Sequence, residues 1–210
     1  LALRPELAII NNPAVPQVTG TTPRLRVDAP YFNLGGIKTS GVDLALAWRS
    51  DFADIGLQSV PGSLGLNVSF NWLDTFKTQA SPGAPFLENA GTLAESGQYD
   101  WRLSTNLTYS IGSVNVALNW RHLPSAHDLA FVTLPTTTVD DVESYDNFSL
   151  SAGWRITDTF QLRAGVDNLF NEDPPIVGAN PALTNNATNT LPGYYDLLGR
   201  RFYVGMKASF

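Results

Sequence analysis

The sequence predicts an all-β fold, a transmembrane antiparallel up-and-down β-barrel, on three observations. Seven segments of roughly ten residues alternate apolar and polar side chains, the period of a strand whose successive side chains point to opposite faces. The connections between them are short or long by turns, like the two rims of a membrane barrel. Aromatic residues gather towards the segment ends, where rings settle at headgroup depth.

In the first segment Val42, Leu44, Leu46 and Trp48 share one face, against Asp43, Ala45, Ala47 and Arg49. The second sets Leu64, Leu66, Val68, Phe70 and Trp72 against Gly65, Asn67, Ser69 and Asn71. In the third, Trp101, Leu103, Thr105, Leu107 and Tyr109 oppose Arg102, Ser104, Asn106 and Thr108. The fourth pits Val114, Val116, Leu118 and Trp120 against Asn115, Ala117, Asn119 and Arg121. Phe148, Leu150, Ala152, Trp154 and Ile156 then face away from Asn147, Ser149, Ser151, Gly153 and Arg155. The sixth segment opposes Phe160, Leu162, Ala164 and Val166 to Gln161, Arg163, Gly165 and Asp167. The last opposes Phe202, Val204, Met206, Ala208 and Phe210 to Arg201, Tyr203, Gly205, Lys207 and Ser209. None of these apolar-face positions carries a charge.

Tight links fall at Ser110–Ser113 and Ile156–Thr159, and an intermediate one at Asp51–Gly62. Residues 78–97, 124–143 and 171–197 are long loops rich in Pro, Gly, Asn, Thr and Asp. Without periodicity, they are expected to be flexible surface loops. Residues 1–37 are expected to hold an incomplete upstream strand and an extracellular loop, and 38–210 the barrel strands.

Composition narrows the function. The 210 residues include no Cys, and only 15% are charged, for a formal net charge of -6. Ordinary soluble domains carry about 25% charged residues. The longest apolar runs, such as Leu44–Trp48, are far too short for a membrane helix, which needs about 20 apolar residues. Lack of Cys excludes a disulfide scaffold and thiolate-bound metal. No basic stripe exists to neutralise phosphates, so nucleic acid is not an expected partner.

A soluble β-sandwich would also alternate apolar and polar residues. Its strands, however, are commonly five or six residues long, whereas these segments run about 9–13, the length that crosses a bilayer at a tilt. The aromatics Trp48, Phe52, Trp72, Phe76, Tyr99, Trp101, Trp120, Tyr145, Phe148, Trp154, Phe160, Phe170 and Phe202 fit two interfacial girdles. If the short turns are periplasmic, the last strand runs inwards and all three long loops lie outside the cell. Seven strands cannot close an even-numbered bacterial barrel, and an open edge in lipid costs several kcal/mol per unpaired backbone group. The chain, which begins at Leu1 without a signal peptide, is therefore expected to be a fragment whose partner strands lie upstream.

Three motifs carry a family resemblance. Val166-Asp167-Asn168-Leu169-Phe170-Asn171, followed by Pro174-Pro175, resembles the penultimate-strand signature of TonB-dependent receptors. Tyr195-Asp196-Leu197-Leu198-Gly199-Arg200-Arg201-Phe202-Tyr203-Val204-Gly205, with a terminal Phe, resembles their final-strand signature. The run from Asn33 through Gly41 to Leu44 resembles an internal strand motif of the same family. The resemblance implies a barrel of about 22 strands around an N-terminal plug, of which this chain holds roughly the last seven. It also implies import of a scarce nutrient, driven by an inner-membrane TonB complex that pulls on a short N-terminal segment, the TonB box. Plug, upstream strands and TonB box are absent here, leaving outer-membrane lipid as the partner of the chain itself. Ferric siderophore, hence iron uptake, is the first cargo implied, with cobalamin or oligosaccharide next.

Within the motifs, Asn168 is expected to stabilise the turn at the mouth of its strand, and Gly199 to let the chain bend from loop into strand. The charged residues Asp43, Arg49, Arg102, Arg121, Arg155, Arg163, Asp167, Arg201 and Lys207 are expected to face the lumen. Arg155, Arg163 and Arg201 can pair with plug carboxylates, the first expectation, with Asp167, or with an anionic substrate. Phe210 resembles the signal read by the barrel-assembly machinery, and also fills the lipid face.

Catalytic and metal chemistry find little support. His122 follows the fourth segment and His127-Asp128 lies in the next loop, with no nucleophile motif beside them. Two loop histidines do not make a metal site, and Asp140-Asp141-Val142-Glu143 lacks a Ca²⁺-loop pattern and reads as solvated. Gly35-Gly36 precedes a strand rather than a helix, which excludes a phosphate-cradling loop. No cofactor is expected. A passive porin, which would lack a plug, and a barrel enzyme, which would need an inward Ser–His pair, are the alternative functions.

Overall fold

The computed structural model describes residues 35–93, 98–128, 141–177 and 190–209. The upstream loop and the terminal Phe210 lie outside the described residues. In chain order the strands are β1 Gly36–Asp51, β2 Ser63–Gln79, β3 Leu87–Glu88, β4 Thr92–Leu93, β5 Trp101–Ile111, β6 Val114–Leu123, β7 Ala126–Asp128, β8 Asp141–Val142, β9 Tyr145–Arg155, β10 Phe160–Asp167 and β11 Arg201–Ala208. The seven long ones form a single up-and-down antiparallel sheet in the order β1-β2-β5-β6-β9-β10-β11. Among the described residues the sheet is open, with β1 and β11 at its edges. No helix of the described residues is long and apolar enough to cross a membrane.

Register joins the apolar faces of all seven strands. One cross-strand row reads Trp48, Leu66, Leu107, Leu118, Leu150, Val166 and Phe202. The next reads Arg49, Gly65, Thr108, Ala117, Ser151, Gly165 and Tyr203. A slip of one residue in any strand would invert its side chains and break both rows. The apolar row starts three residues before the end of β1 (51 − 48) and finishes six before the end of β11 (208 − 202). Strands staggered in this way are what a tilted barrel wall requires.

The apolar face is not the core. Val204 is 76% exposed and Leu44 59%. The fully buried residues, among them Leu93, Tyr99, Val142 and Tyr145, cluster at the end of the sheet that carries the long connections. Here the structure corrects the expectation of flexible loops. β3 pairs with β2, and β4, β7 and β8 form a second small sheet that joins two of the long connections. Strands of two or three residues are too short to display a period. Tyr99 and Tyr145, counted above among the girdle aromatics, are also corrected: both are buried in this loop core, and register puts Tyr145 on the polar side of the sheet.

The opposite end is built from tight turns. Gly112, at φ 54°, takes the left-handed conformation that the two-residue link from β5 to β6 requires. Between β9 and β10, Thr157 Oγ1 accepts the N–H groups of Thr159 (3.2 Å) and Phe160 (3.0 Å). The intermediate link after β1 contains a 3₁₀ turn, Phe52–Ile55, closed by Gly56 at φ 86°.

Candidate functional site

The site grows from the two motifs that flank the last long connection. Asn168 ends β10 in the left-handed region, φ 52°, and is buried. Its amide donates to Glu172 O (2.9 Å) and accepts from Glu172 N–H (2.8 Å), closing the turn with one side chain. Leu169 N–H donates to Phe148 O (2.7 Å), and the Phe170 ring packs edge-on against Phe148. Asn171, at φ 58°, accepts the N–H of Arg200 at 3.0 Å. Gly199, at φ 67°, sits against the same amide, and a Cβ there would lie 3.1 Å from Asn171 Oδ1. The two motifs, distant in sequence, therefore bind each other and fix where β10 ends and β11 begins.

Two arginines then tie the connection to the polar face. Arg201 donates to Asp196 Oδ1 at 2.7 Å and lies 3.8 Å from Asp167. Its closest carboxylate is thus five residues away in its own motif, with Asp167 the next. Burial pushes the Asp196 carboxyl up, but the hydrogen bond from Arg201 and the Leu198 N–H outweigh it and hold it below the ordinary carboxylate value. Arg121 donates to the Tyr194 carbonyl at 2.9 Å. Above them Tyr99 and Tyr195 join hydroxyl to hydroxyl, Tyr145 packs edge-on against Tyr195, and Tyr194 reaches Gln98. Burial, then the hydrogen bond to Tyr195, push the Tyr99 phenol far above its ordinary range.

Beside this tyrosine roof lies an open cavity of about 440 Å³ lined by Asn119, Arg121, Ser149, Asp167, Tyr194 and Arg201, among others. Two guanidiniums face two carboxylates, Asp167 and Asp196, so the lining is charge-balanced and rich in hydrogen-bonding groups. Such a site can hold a polar solute by directed hydrogen bonds.

Register puts all nine charged residues singled out from the sequence on the polar face. Asp43, Asn71 and Arg102 form a hydrogen-bonded chain, and Arg49 reaches Ser63 Oγ at 3.2 Å. Arg155, Arg163 and Lys207 lie at the far end of the sheet and do not enter the cavity. The histidines need correcting. His122 is inside β6, stacked on Trp101 and 2.8 Å from Asp146, which also accepts Trp120 Nε1–H at 2.6 Å. His127 belongs to β7 and bonds Asp141 of β8 at 2.5 Å. Val142, read as part of a solvated acidic cluster, is buried.

The sheet thus has a polar face with an open, charge-balanced cavity and an apolar face on its other side. A family model described as TonB dependent receptor-like, beta-barrel, matches residues 8–169. The chain belongs to the TonB-dependent receptor β-barrel family. This family comprises receptors and transporters of the bacterial outer membrane, not enzymes. No curated protein and no solved structure matches the chain. In membrane barrels of this kind apolar residues face lipid and polar residues the lumen, and the cavity lies on the polar face. The match takes in Asp167, Asn168 and Leu169 but stops before the final-strand motif that Asn168 and Asn171 help to anchor.

Proposed function

We propose that this chain is the C-terminal wall of an outer-membrane receptor that captures a scarce nutrient and imports it with TonB-coupled energy. The wall supplies roughly seven of about 22 strands. The edges of β1 and β11 pair with further strands of the same barrel, because lipid offers no partner to unpaired backbone groups. The long connections face the cell exterior and the tight turns the periplasm. A plug domain and the segment contacted by TonB belong to parts of the receptor outside residues 1–210.

The observation that carries this reading is the tyrosine cluster of the long connections, tied to the polar face by Arg121 and Arg201 beside an open polar cavity. A passive porin keeps an aqueous channel open, and a packed tyrosine roof latched by Arg121 and Arg201 works against that. Ferric siderophore is the first cargo to test, then cobalamin and oligosaccharide. In a strain lacking the receptor gene, growth is measured with each as the sole source of iron, cobalamin or carbon, with and without a functional TonB. The reading predicts that growth on one of them needs both the receptor and TonB. Growth that needs the receptor but not TonB would favour the porin.

A further inference from the structure

The apolar face of the sheet changes character at one end only. A chain of ring contacts crosses it from Phe70 through Trp101, His122, Trp120 and Phe148 to Phe170. Between this belt and the tight turns, no strand position on the apolar face of the described residues is charged. His122 and Asp146 pair with each other at the belt. Beyond it, on the side of the long connections, the same face carries Lys38, Asp74, Lys77 and Glu88.

The two lysines meet because of a β-bulge. Leu73 pairs with Gly41 and Thr75 with Ser40, so Asp74 is an extra residue in β2. By strict alternation from Trp72, Lys77 would fall on the polar face. The extra residue turns it over, and it pairs directly with Lys38. One step nearer the belt, the Ser40 and Thr75 hydroxyls meet at 2.6 Å, which places both strands' side chains on one face.

Like charges directly opposite each other in an antiparallel pair are destabilising, and the chain gives these two little relief. Glu88 comes to 3.9 Å from Lys77 Nζ. Its other oxygen is taken by the N–H groups of Phe76 (2.7 Å) and Ala90 (3.1 Å). Asp74 accepts the Ser40 hydroxyl at 3.1 Å. Lys38 Nζ lies 4.1 Å from the centre of the Phe86 ring and meets no oxygen partner among the described residues. A phosphate between two such ammoniums would receive charge-assisted hydrogen bonds from both.

Depth narrows the source of the anion. Val42 pairs with Trp72 at the level of the belt, four residues from Lys38 (42 − 38). At about 3.4 Å per residue and a tilt near 45°, the lysines stand about 10 Å outward of the belt. A phospholipid headgroup layer is only about 5–8 Å deep, so cations at that height on the lipid-facing side meet a taller headgroup. Sugar headgroups reach that height, and phosphate esters on them supply the charge. We propose that Lys38 and Lys77 bind a phosphate group on the sugar headgroup of an outer-leaflet glycolipid. This rests on the reading that the long connections face the cell exterior.

The test titrates purified, delipidated full-length receptor in detergent with lipopolysaccharide, read by native mass spectrometry. Heat-modifiable migration is the folding control. Wild type is expected to bind, and Lys38→Gln/Lys77→Gln to bind roughly 30-fold more weakly for the loss of two cations at a charged membrane surface. Lys38→Arg/Lys77→Arg should match wild type, as should Lys207→Gln on the polar face. Wild type should also bind dephosphorylated lipopolysaccharide as weakly as the glutamine variant binds the intact lipid, and this arm needs no variant to fold. Equal binding by wild type and the folded glutamine variant, or of lipid with and without phosphate, would overturn the site. Displacement of the lipid by equimolar inorganic phosphate would overturn the lipid assignment in favour of a free anion. Sidedness is read separately, by protease added to intact cells, which should cut the exposed connection near Gly83. Cleavage there only after the envelope is broken would overturn the outward reading, whatever the lipid result.

Discussion

Arginine placed at Leu150 tests the face assignment where it is most expensive to be wrong. Leu150 is midway along β9, five residues from Tyr145 and five from Arg155. At about 3.4 Å per residue and a tilt near 45°, that sets it about 12 Å from either end of the strand. Its cross-strand neighbours are Leu118 and Val166, so no polar group on that face can share the guanidinium. A lipid-facing Arg at the midplane costs about 2–4 kcal/mol. At 1.4 kcal/mol per factor of ten, the folding equilibrium should fall roughly 30- to 700-fold. Ser149 is one residue away but pairs with Asn119 and lines the lumen cavity. Ser149→Arg should be far milder. Phe202→Arg, at the start of β11, should cost about 0–1 kcal/mol, since the penalty fades towards the interface. The assay is reversible urea unfolding of the complete barrel in liposomes. Equal penalties at Leu150 and Ser149, or a larger one at Phe202 than at Leu150, would refute the reasoning.

Other expectations concern the roof and its anchors. Asp196 is held below its ordinary value of 3.8, so its bond to Arg201 stabilises the closed connection above that pH and is lost as pH falls through the lowered value. Protease cleavage around Tyr194 should therefore rise in acid below about pH 4, and Asp196→Asn should cleave readily at every pH. Tyr99 must stay neutral, so the roof is stable below its ordinary 10.0 and weakens as pH rises above it. Tyr99→Phe should remove part of that alkaline sensitivity at a cost of about 1–3 kcal/mol, from the Tyr195 hydroxyl left buried, read by tyrosine absorbance against pH. Asn168→Gly keeps the left-handed turn but loses two hydrogen bonds, for roughly 1–3 kcal/mol. Asn168→Ala adds backbone strain and should be worse in the same urea assay.

Much of the wall was legible in the sequence because a two-faced sheet prints its geometry as a period of two. Leu118, Leu150 and Val166 occupy one row in the structure as they occupy one face in the alternation. The roof was not legible. Leu93, Ala126 and Val142 are single apolar residues in strands of two or three, and Tyr99 meets Tyr195 across 96 positions. Nothing local marks such contacts. Arg201 is legible in part: the period of two puts it on the polar face beside Asp167, but its contact with Asp196 depends on how the connection before β11 folds back. His122 was placed beyond its strand because it breaks the apolar alternation; Asp146, opposite in register, compensates for it.

Strands that stand in a membrane wall expose alternate residues to lipid and to the lumen. The chain contains no cysteine, so single spin labels can be placed at successive positions from Asn147 to Trp154 in the full-length receptor. Collision rates with oxygen, which partitions into lipid, are compared with those of a water-soluble nickel complex in outer-membrane vesicles. Oxygen maxima are expected at Phe148, Leu150, Ala152 and Trp154, with minima at the residues between them. A flat profile, or maxima at Asn147, Ser149, Ser151 and Gly153, would contradict a membrane wall with this lipid face.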